Sequence, residues 1–211
     1  MSINEFIGIV TFLYAVANPI GVVPIFLGFV KKLSSEKIFK LIVIASISVA
    51  ILLAVSALLG ESILRFFNVS IDDFRIAGGM LVLFIAFNMF QAHYGGFMQT
   101  LEERLEAEGD ISEIAVTPLA FPLLVGPAEM SIMITYANDL DGTYEKGMLV
   151  LTGLVTAALV AFTLRMAVPI NIALGKTGIN VITRVMALIV ASIGISFIMA
   201  GIKNHLPGLA G

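Results

Sequence analysis

The chain has 211 residues, of which 59% are hydrophobic and 13% charged, with a mean hydropathy of +1.03. Soluble domains run to about 45 to 50% apolar and about 25% charged, so this balance excludes an ordinary water-soluble globule and reads as an integral membrane protein. The formal net charge of -3 gives no attraction to nucleic acid, and the absence of cysteine excludes disulfides, thiolate metal sites and thiol redox chemistry.

A spanning helix needs about 20 mostly apolar residues, and six uncharged or nearly uncharged runs meet that description. The N-terminal M-S-I-N-E-F lacks the cationic region of a cleavable signal, so Phe6 to Val30 is the first predicted span. It carries A-N-P-I-G-V-V-P, Ala17 to Pro24, at its centre. A lysine-rich loop, Lys31 to Lys40, leads to the second span, Leu41 to Gly60, and Ile76 to Gln91 is the third, opened by Gly78 and Gly79 and carrying Asn88. The segment Ala92 to Glu113, with E-E-R-L-E-A-E-G-D, reads as a solvated acidic linker. The fourth span, Ile114 to Asn138, contains F-P-L-L-V-G-P at Phe121 to Pro127 and then Glu129, the one acidic residue deep in an apolar run. Gly147 to Leu164 and Val185 to Ile202 complete the set. Helices apolar all round show poor periodicity, and the alternating ten-residue strands of a β-barrel are missing. The histidines, His93 and His205, lie outside the most apolar runs and far apart, which argues against an embedded metal or haem.

Orientation follows from the cations, which concentrate on the cytoplasmic side. Of the 12 Lys and Arg, 8 fall on the side of the odd-numbered loops and 4 (Arg65, Arg75, Lys146 and Lys203) on the other. Both termini are therefore expected outside a cell membrane. The acidic linker divides the chain into residues 1–91, 92–113 and 114–211. P-I-G-V-V-P at 19–24 aligns with P-L-L-V-G-P at 122–127 at an offset of 103, and Arg75 aligns with Arg184 at an offset of 109. Three spans per half is an odd number, so a repeat must cross the bilayer in the opposite sense. The expected fold is all-α, with six transmembrane helices as two inverted three-helix repeats broken in helices one and four. That pattern points to a secondary transporter with a midplane site.

Proline removes a helix N–H and its ring clashes with the preceding turn. In a bilayer the freed backbone groups persist only against protein or a water-filled cavity, where they can bind a ligand. The start of a half-helix suits a carboxylate; carbonyls of the preceding half-helix, with Asn18, suit an ammonium. Prolines in membrane helices otherwise make kinks or close packing. Asn88 is either helix-to-helix glue or a ligand contact, and Gly78 and Gly79 read as packing positions. Glu129 could accept an ammonium, carry a coupling proton or join a Na⁺ site, or it could cap the second half-helix. Ser131 and Thr135 follow it toward the site, and Thr117 precedes the break. Arg165 reads as a snorkelling interfacial residue.

The stretches A-N-P-I-G-V-V-P-I-F, F-R-I-A-G-G-M-L-V-L-F-I-A-F-N-M and A-V-T-P-L-A-F-P-L-L-V-G-P-A-E-M-S, in this order and spacing, resemble the MarC family, which includes SnatA-type transporters of small neutral amino acids. The resemblance covers essentially the whole chain. It implies a six-helix inverted-repeat carrier taking up glycine and alanine with cation coupling. Residue by residue, Asn18, Pro19, Gly21 and Pro24 match the family's first motif, Gly78, Gly79 and Asn88 its third-span motif, and Pro122, Gly126 and Pro127 its second break. The family often has a small residue where Glu129 stands. The candidate binding set is thus Asn18, Pro19, Gly21, Pro24, Asn88, Pro122, Gly126, Pro127, Glu129 and Ser131, with no cofactor and a proton or Na⁺ as coupling ion. The partners expected are the bilayer and a small neutral amino acid; a homo-oligomer is compatible with the sequence. An exporter of amino acids or other metabolites is the rival within transport, and an intramembrane enzyme or a non-transporting subunit the rival outside it. One deep carboxylate without a partner histidine or cysteine argues against the enzyme.

Overall fold

A computed structural model describes residues 1–30, 33–91, 111–140 and 142–205. Among these residues the chain is all-helical: α1 (Ile3–Ala17), α2 (Pro19–Val30), α3 (Ser35–Phe66), α4 (Ile71–Gln91), α5 (Ile111–Ile114), a wide π-type segment (Ala115–Leu124), α6 (Pro127–Asn138), α7 (Thr143–Arg165) and α8 (Ala167–His205). Five helices, with α1 and α2 read as one, are long and apolar enough to cross a membrane, and the bent pair formed by 111–124 and 127–138 makes a sixth when counted as one span. Most of the acidic linker, including His93, lies outside the described residues, and its last three positions open α5.

Local chemistry sets the helix starts. Ser2 caps α1 in a reciprocal box, its hydroxyl accepting from the Glu5 N–H at 3.3 Å while the Glu5 carboxylate accepts from the Ser2 N–H at 2.6 Å. Ser34 caps α3 by accepting from Lys37. The helices outrun the uncharged stretches. α3 has 32 residues, about 48 Å at 1.5 Å per residue, against a hydrocarbon core of about 30 Å. The predicted limits Leu41 and Gly60 are therefore corrected to Ser35 and Phe66: charged side chains at helix ends reach toward the interface without interrupting the backbone ladder. The sixth span needs a larger correction, because helix continues on both sides of a break at Gly175 (φ 59, ψ 179). Arg184, predicted to open that span, lies inside α8. Only glycine takes such a conformation cheaply, so Gly175, rather than a charge, marks the change of direction.

Packing pairs α4 with α8, α3 with α7, α2 with α8 and α4 with α6. The first pair rests on glycines: a Cβ on Gly79 would stand 2.7 Å from the Gly194 carbonyl oxygen, and one on Gly194 would stand 3.0 Å from that of Gly79. Small residues let the backbones approach, which is how helices gain van der Waals contact in lipid. Elsewhere Tyr14 Oη and Thr163 Oγ1 join α1 to α7 at 2.7 Å. Lys146 pairs with Glu61 at 3.3 Å across α7 and α3, and Arg75 of α4 pairs with Asp139 beyond α6.

Candidate functional site

The first break is built by one residue. Pro19 has no N–H to offer the carbonyl of Ala15, and Asn18 turns into the left-handed region (φ 40, ψ 52), which asparagine tolerates better than most residues. Asn18 N donates to the Tyr14 carbonyl at 3.1 Å, closing α1, while its own carbonyl accepts from Val22 at 3.2 Å. Its Oδ1 accepts from Gly21 N–H at 3.3 Å. The same asparagine therefore ends α1 and caps α2. Pro24 takes no part in this break, contrary to the sequence reading, because α2 runs through it.

The second break spreads over more residues. Thr117 (φ -132, ψ 114) precedes Pro118, Phe121 (φ -123, ψ 125) precedes Pro122, and Gly126 (φ -109, ψ -171) precedes Pro127. Steric pressure from a following proline pushes a residue out of the helical region, and three such pushes in ten residues unwind the segment. Val125 N–H reaches back to the Ala120 carbonyl at 2.8 Å, and the flanking helices meet at 67°. Gly126 N–H donates to Glu129 Oε2 at 2.8 Å, so Glu129, only 3% exposed, caps α6 from within.

Pro19 and Pro127 occupy equivalent places, each opening the half-helix after a break. Their separation, 127 less 19, is 108 residues, one short of the 109 relating Arg75 and Arg184. The 103-residue alignment of the proline pairs sets Pro122 opposite Pro19, although Pro122 lies within the second break and Pro19 opens the half-helix after the first.

The two breaks meet at a cavity of about 470 Å³. Asn18, Asn88, Pro122, Gly126, Pro127 and Glu129 line it, brought from α1's end, α4 and the second break. Val22, Phe84, Ile85 and Met89 supply apolar wall. The remaining candidates stand off the wall. Pro19 is buried beside it and Pro24 is half-buried within α2. Gly21 lies beneath Asn18, where a Cβ would stand 2.2 Å from Asn18 Nδ2 and 3.0 Å from Thr183 Oγ1. Ser131 faces α4: its Cβ is 2.6 Å from where a Gly78 Cβ would be. Thr117 and Arg165 are exposed.

Two features escaped the sequence reading. Thr183, 2% exposed, carries beside the first break a hydroxyl that has no hydrogen-bond partner among the described residues. Thr135, expected to follow Glu129 toward the first cavity, instead lines a second one at the other end of α6 with Arg75, Tyr136 and Asp139, a grouping the sequence did not show. No single-residue signal marks either, because both depend on contacts between helices far apart in sequence. Among the described residues no group of three or more His, Cys, Asp or Glu side chains could hold a metal ion.

The cavity's chemistry is two amides, one carboxylate and main-chain groups at helix ends, inside an apolar wall. Residues 3–206 match the model of the MarC family integral membrane protein. The chain belongs to the MarC family. It is 41% identical over 199 residues to the UPF0056 membrane protein YhcE of Escherichia coli (strain K12), covering 93% of this chain and 91% of that one. The UPF0056 membrane protein MJ1677 of Methanocaldococcus jannaschii is 34% identical over 209 residues, 98% of this chain and 100% of its own. Against YvbG of Bacillus subtilis (strain 168), another UPF0056 membrane protein, the identity is 30% over 197 residues, 93% of each chain. No solved structure matches. Membership in MarC, with several apolar helices, makes this a multi-pass membrane protein.

Proposed function

We propose that this MarC protein is a secondary active transporter of small neutral amino acids such as glycine and alanine, working by alternating access between two inverted halves. The observation that carries the reading is the convergence of Asn18, Asn88, Gly126 and Glu129 on one cavity at which both broken helices meet. In a bilayer, unwound backbone is tolerated where it lines such a space, and broken helices facing one another are the usual construction of a midplane carrier site. The start of α6 offers its dipole to a carboxylate. Asn18 Oδ1, the Asn88 amide and the Glu129 carboxylate can accept from an ammonium.

The shared position of Pro19 and Pro127, the near-equal offset of the arginines, and the mutual packing of α3 with α7 and of α4 with α8 support an inverted repeat. The preponderance of cations on the odd-numbered loops supports termini outside the cell membrane. Glu129 is the acidic side chain of the cavity wall and the group on which proton coupling would act. The test is accumulation of labelled glycine and alanine in liposomes holding the purified chain, with proton and sodium gradients imposed separately. Uphill accumulation under one gradient is the expected result; no accumulation of any small amino acid under either refutes the assignment.

A further inference from the structure

The second cavity, about 270 Å³, is bounded by Arg75 of α4, Thr135, Tyr136 and Asp139 at the end of α6, and Ser196 and Phe197 of α8. That volume is ample for a molecule of glycine's size. Its polar groups are unusually well matched to one ligand class. Arg75 is partly buried, its side chain 11% exposed, and it contacts Asp72 at 3.4 Å and Asp139. A guanidinium carries five N–H donors, and these two contacts leave donors for a further carboxylate. Asp139 is half exposed and can accept from an ammonium beside its contact with Arg75. Thr135, 5% exposed, has a hydroxyl with no hydrogen-bond partner among the described residues, the kind of buried polar group that calls for explanation.

The cavity also lies in line with the first. Along α6, Glu129 lines the first cavity, Ser131 packs on Gly78, and Thr135 lines the second. Six residues of helix separate Glu129 from Thr135, about 9 Å of rise. Along α4 the order is the mirror of this: Asn88 at the first cavity, Gly78 at the contact, Arg75 at the second. The Gly78–Ser131 contact is the tight place between two polar chambers.

We propose that this cavity is a second binding site for a zwitterionic small amino acid, with Arg75 receiving its carboxylate, Asp139 its ammonium and Thr135 a third hydrogen bond. An ion pair and a zwitterion carry the same two charges, so the ligand lies antiparallel to Arg75 and Asp139 and neither charge is left uncompensated. The site is a staging point between the Gly78–Ser131 contact and the membrane face at which α3 and α6 end and α4 begins. The inference rests on the transporter reading, and its test separates the two.

Binding of labelled glycine to the purified full chain in lipid nanodiscs, carried to saturation, counts the sites. The wild type is expected to bind two per chain. Arg75→Gln and Gly126→Val are each expected to bind one, and the double variant none. Thr135→Val removes a hydroxyl that bonds to none of the described residues, so it leaves the fold intact while weakening one class of site about threefold to tenfold. One glycine per wild-type chain, lost in Gly126→Val and indifferent to Arg75→Gln and Thr135→Val, overturns the second site and leaves the first standing. No binding of any small amino acid overturns both.

Discussion

Gly21→Ala puts the first break to the test from a position that is not itself on the cavity wall. A Cβ there would stand 2.2 Å from Asn18 Nδ2, 2.8 Å from Asn18 Cγ and 3.0 Å from Thr183 Oγ1. The first two distances are inside any tolerable contact, so the Asn18 side chain must leave its place. Leaving breaks the 3.3 Å bond from Gly21 N–H to Asn18 Oδ1, worth about 0.5 to 1.5 kcal/mol. Overpacking adds about 1 to 3 kcal/mol, and the better helix propensity of alanine returns about 1 kcal/mol. The net loss is about 0.5 to 3.5 kcal/mol. Because Asn18 also lines the cavity, the same displacement removes a polar group from the ligand, and at ~1.4 kcal/mol per tenfold glycine affinity should fall about tenfold to hundredfold. Gly28→Ala is the control: it sits in the same α2, and among the described residues a Cβ there would have nothing within 4 Å. Thermal unfolding in detergent and equilibrium binding of labelled glycine on both variants provide the measurement. A Gly21→Ala protein as stable and as tight-binding as Gly28→Ala would refute the assignment of Gly21 as the support of Asn18.

Glu129→Gln keeps an oxygen for the Gly126 N–H, so the protein should fold normally yet lose proton-driven accumulation; an unchanged pH dependence of transport would remove Glu129 as proton carrier. Glu129→Ala leaves that buried N–H without a partner, and unfolding should be easier by about 1 to 3 kcal/mol, read as a lower melting temperature than that of Glu129→Gln. Gly79→Leu drives a side chain into the Gly194 carbonyl and the Ile198 N–H, 2.7 and 3.0 Å from the first added carbon. Backbone cannot swing aside as a side chain can, so α4 and α8 must part, and folded protein recovered from membranes should drop sharply, whereas Gly147→Leu, with open space around it, should be recovered like the wild type.

The spans were legible because charges are costly in lipid and few in this chain, so the uncharged runs between them locate the helices. Their ends were not, since a lysine or glutamate at a helix terminus reaches the interface while the backbone continues, as Glu36 and Arg65 do in α3. Six site candidates converge on one cavity because proline's missing N–H is a property of the residue itself, readable without a structure. The exact break was less readable. Prolines at 24 and 122 look equivalent to those at 19 and 127 in the sequence, and only the conformation of Asn18 and Gly126 shows which pair opens a half-helix. Ser131 could not be oriented because a helix apolar on every side gives no periodic mark of its protein-facing edge. Arg75 with Asp139, and Thr183 beside Gly21, are pairings of helices distant in the chain, and nothing local to either partner announces them.

The central claim is that a small zwitterion binds against main chain where the two broken helices meet. Gly126 is the closest test of it, because a Cβ there would be at ordinary contact distance, 3.4 Å from the Pro122 carbonyl oxygen and 3.5 Å from Glu129 Oε2, so Gly126→Ala should fold. Gly126→Val adds branched methyl groups beside the backbone that the ligand must approach. Glycine-driven stabilisation of the purified protein, followed by melting temperature against glycine concentration, should be present in the wild type, kept in part by Gly126→Ala and absent at the first site in a folded Gly126→Val. Undiminished glycine affinity at that site in Gly126→Val would contradict the claim.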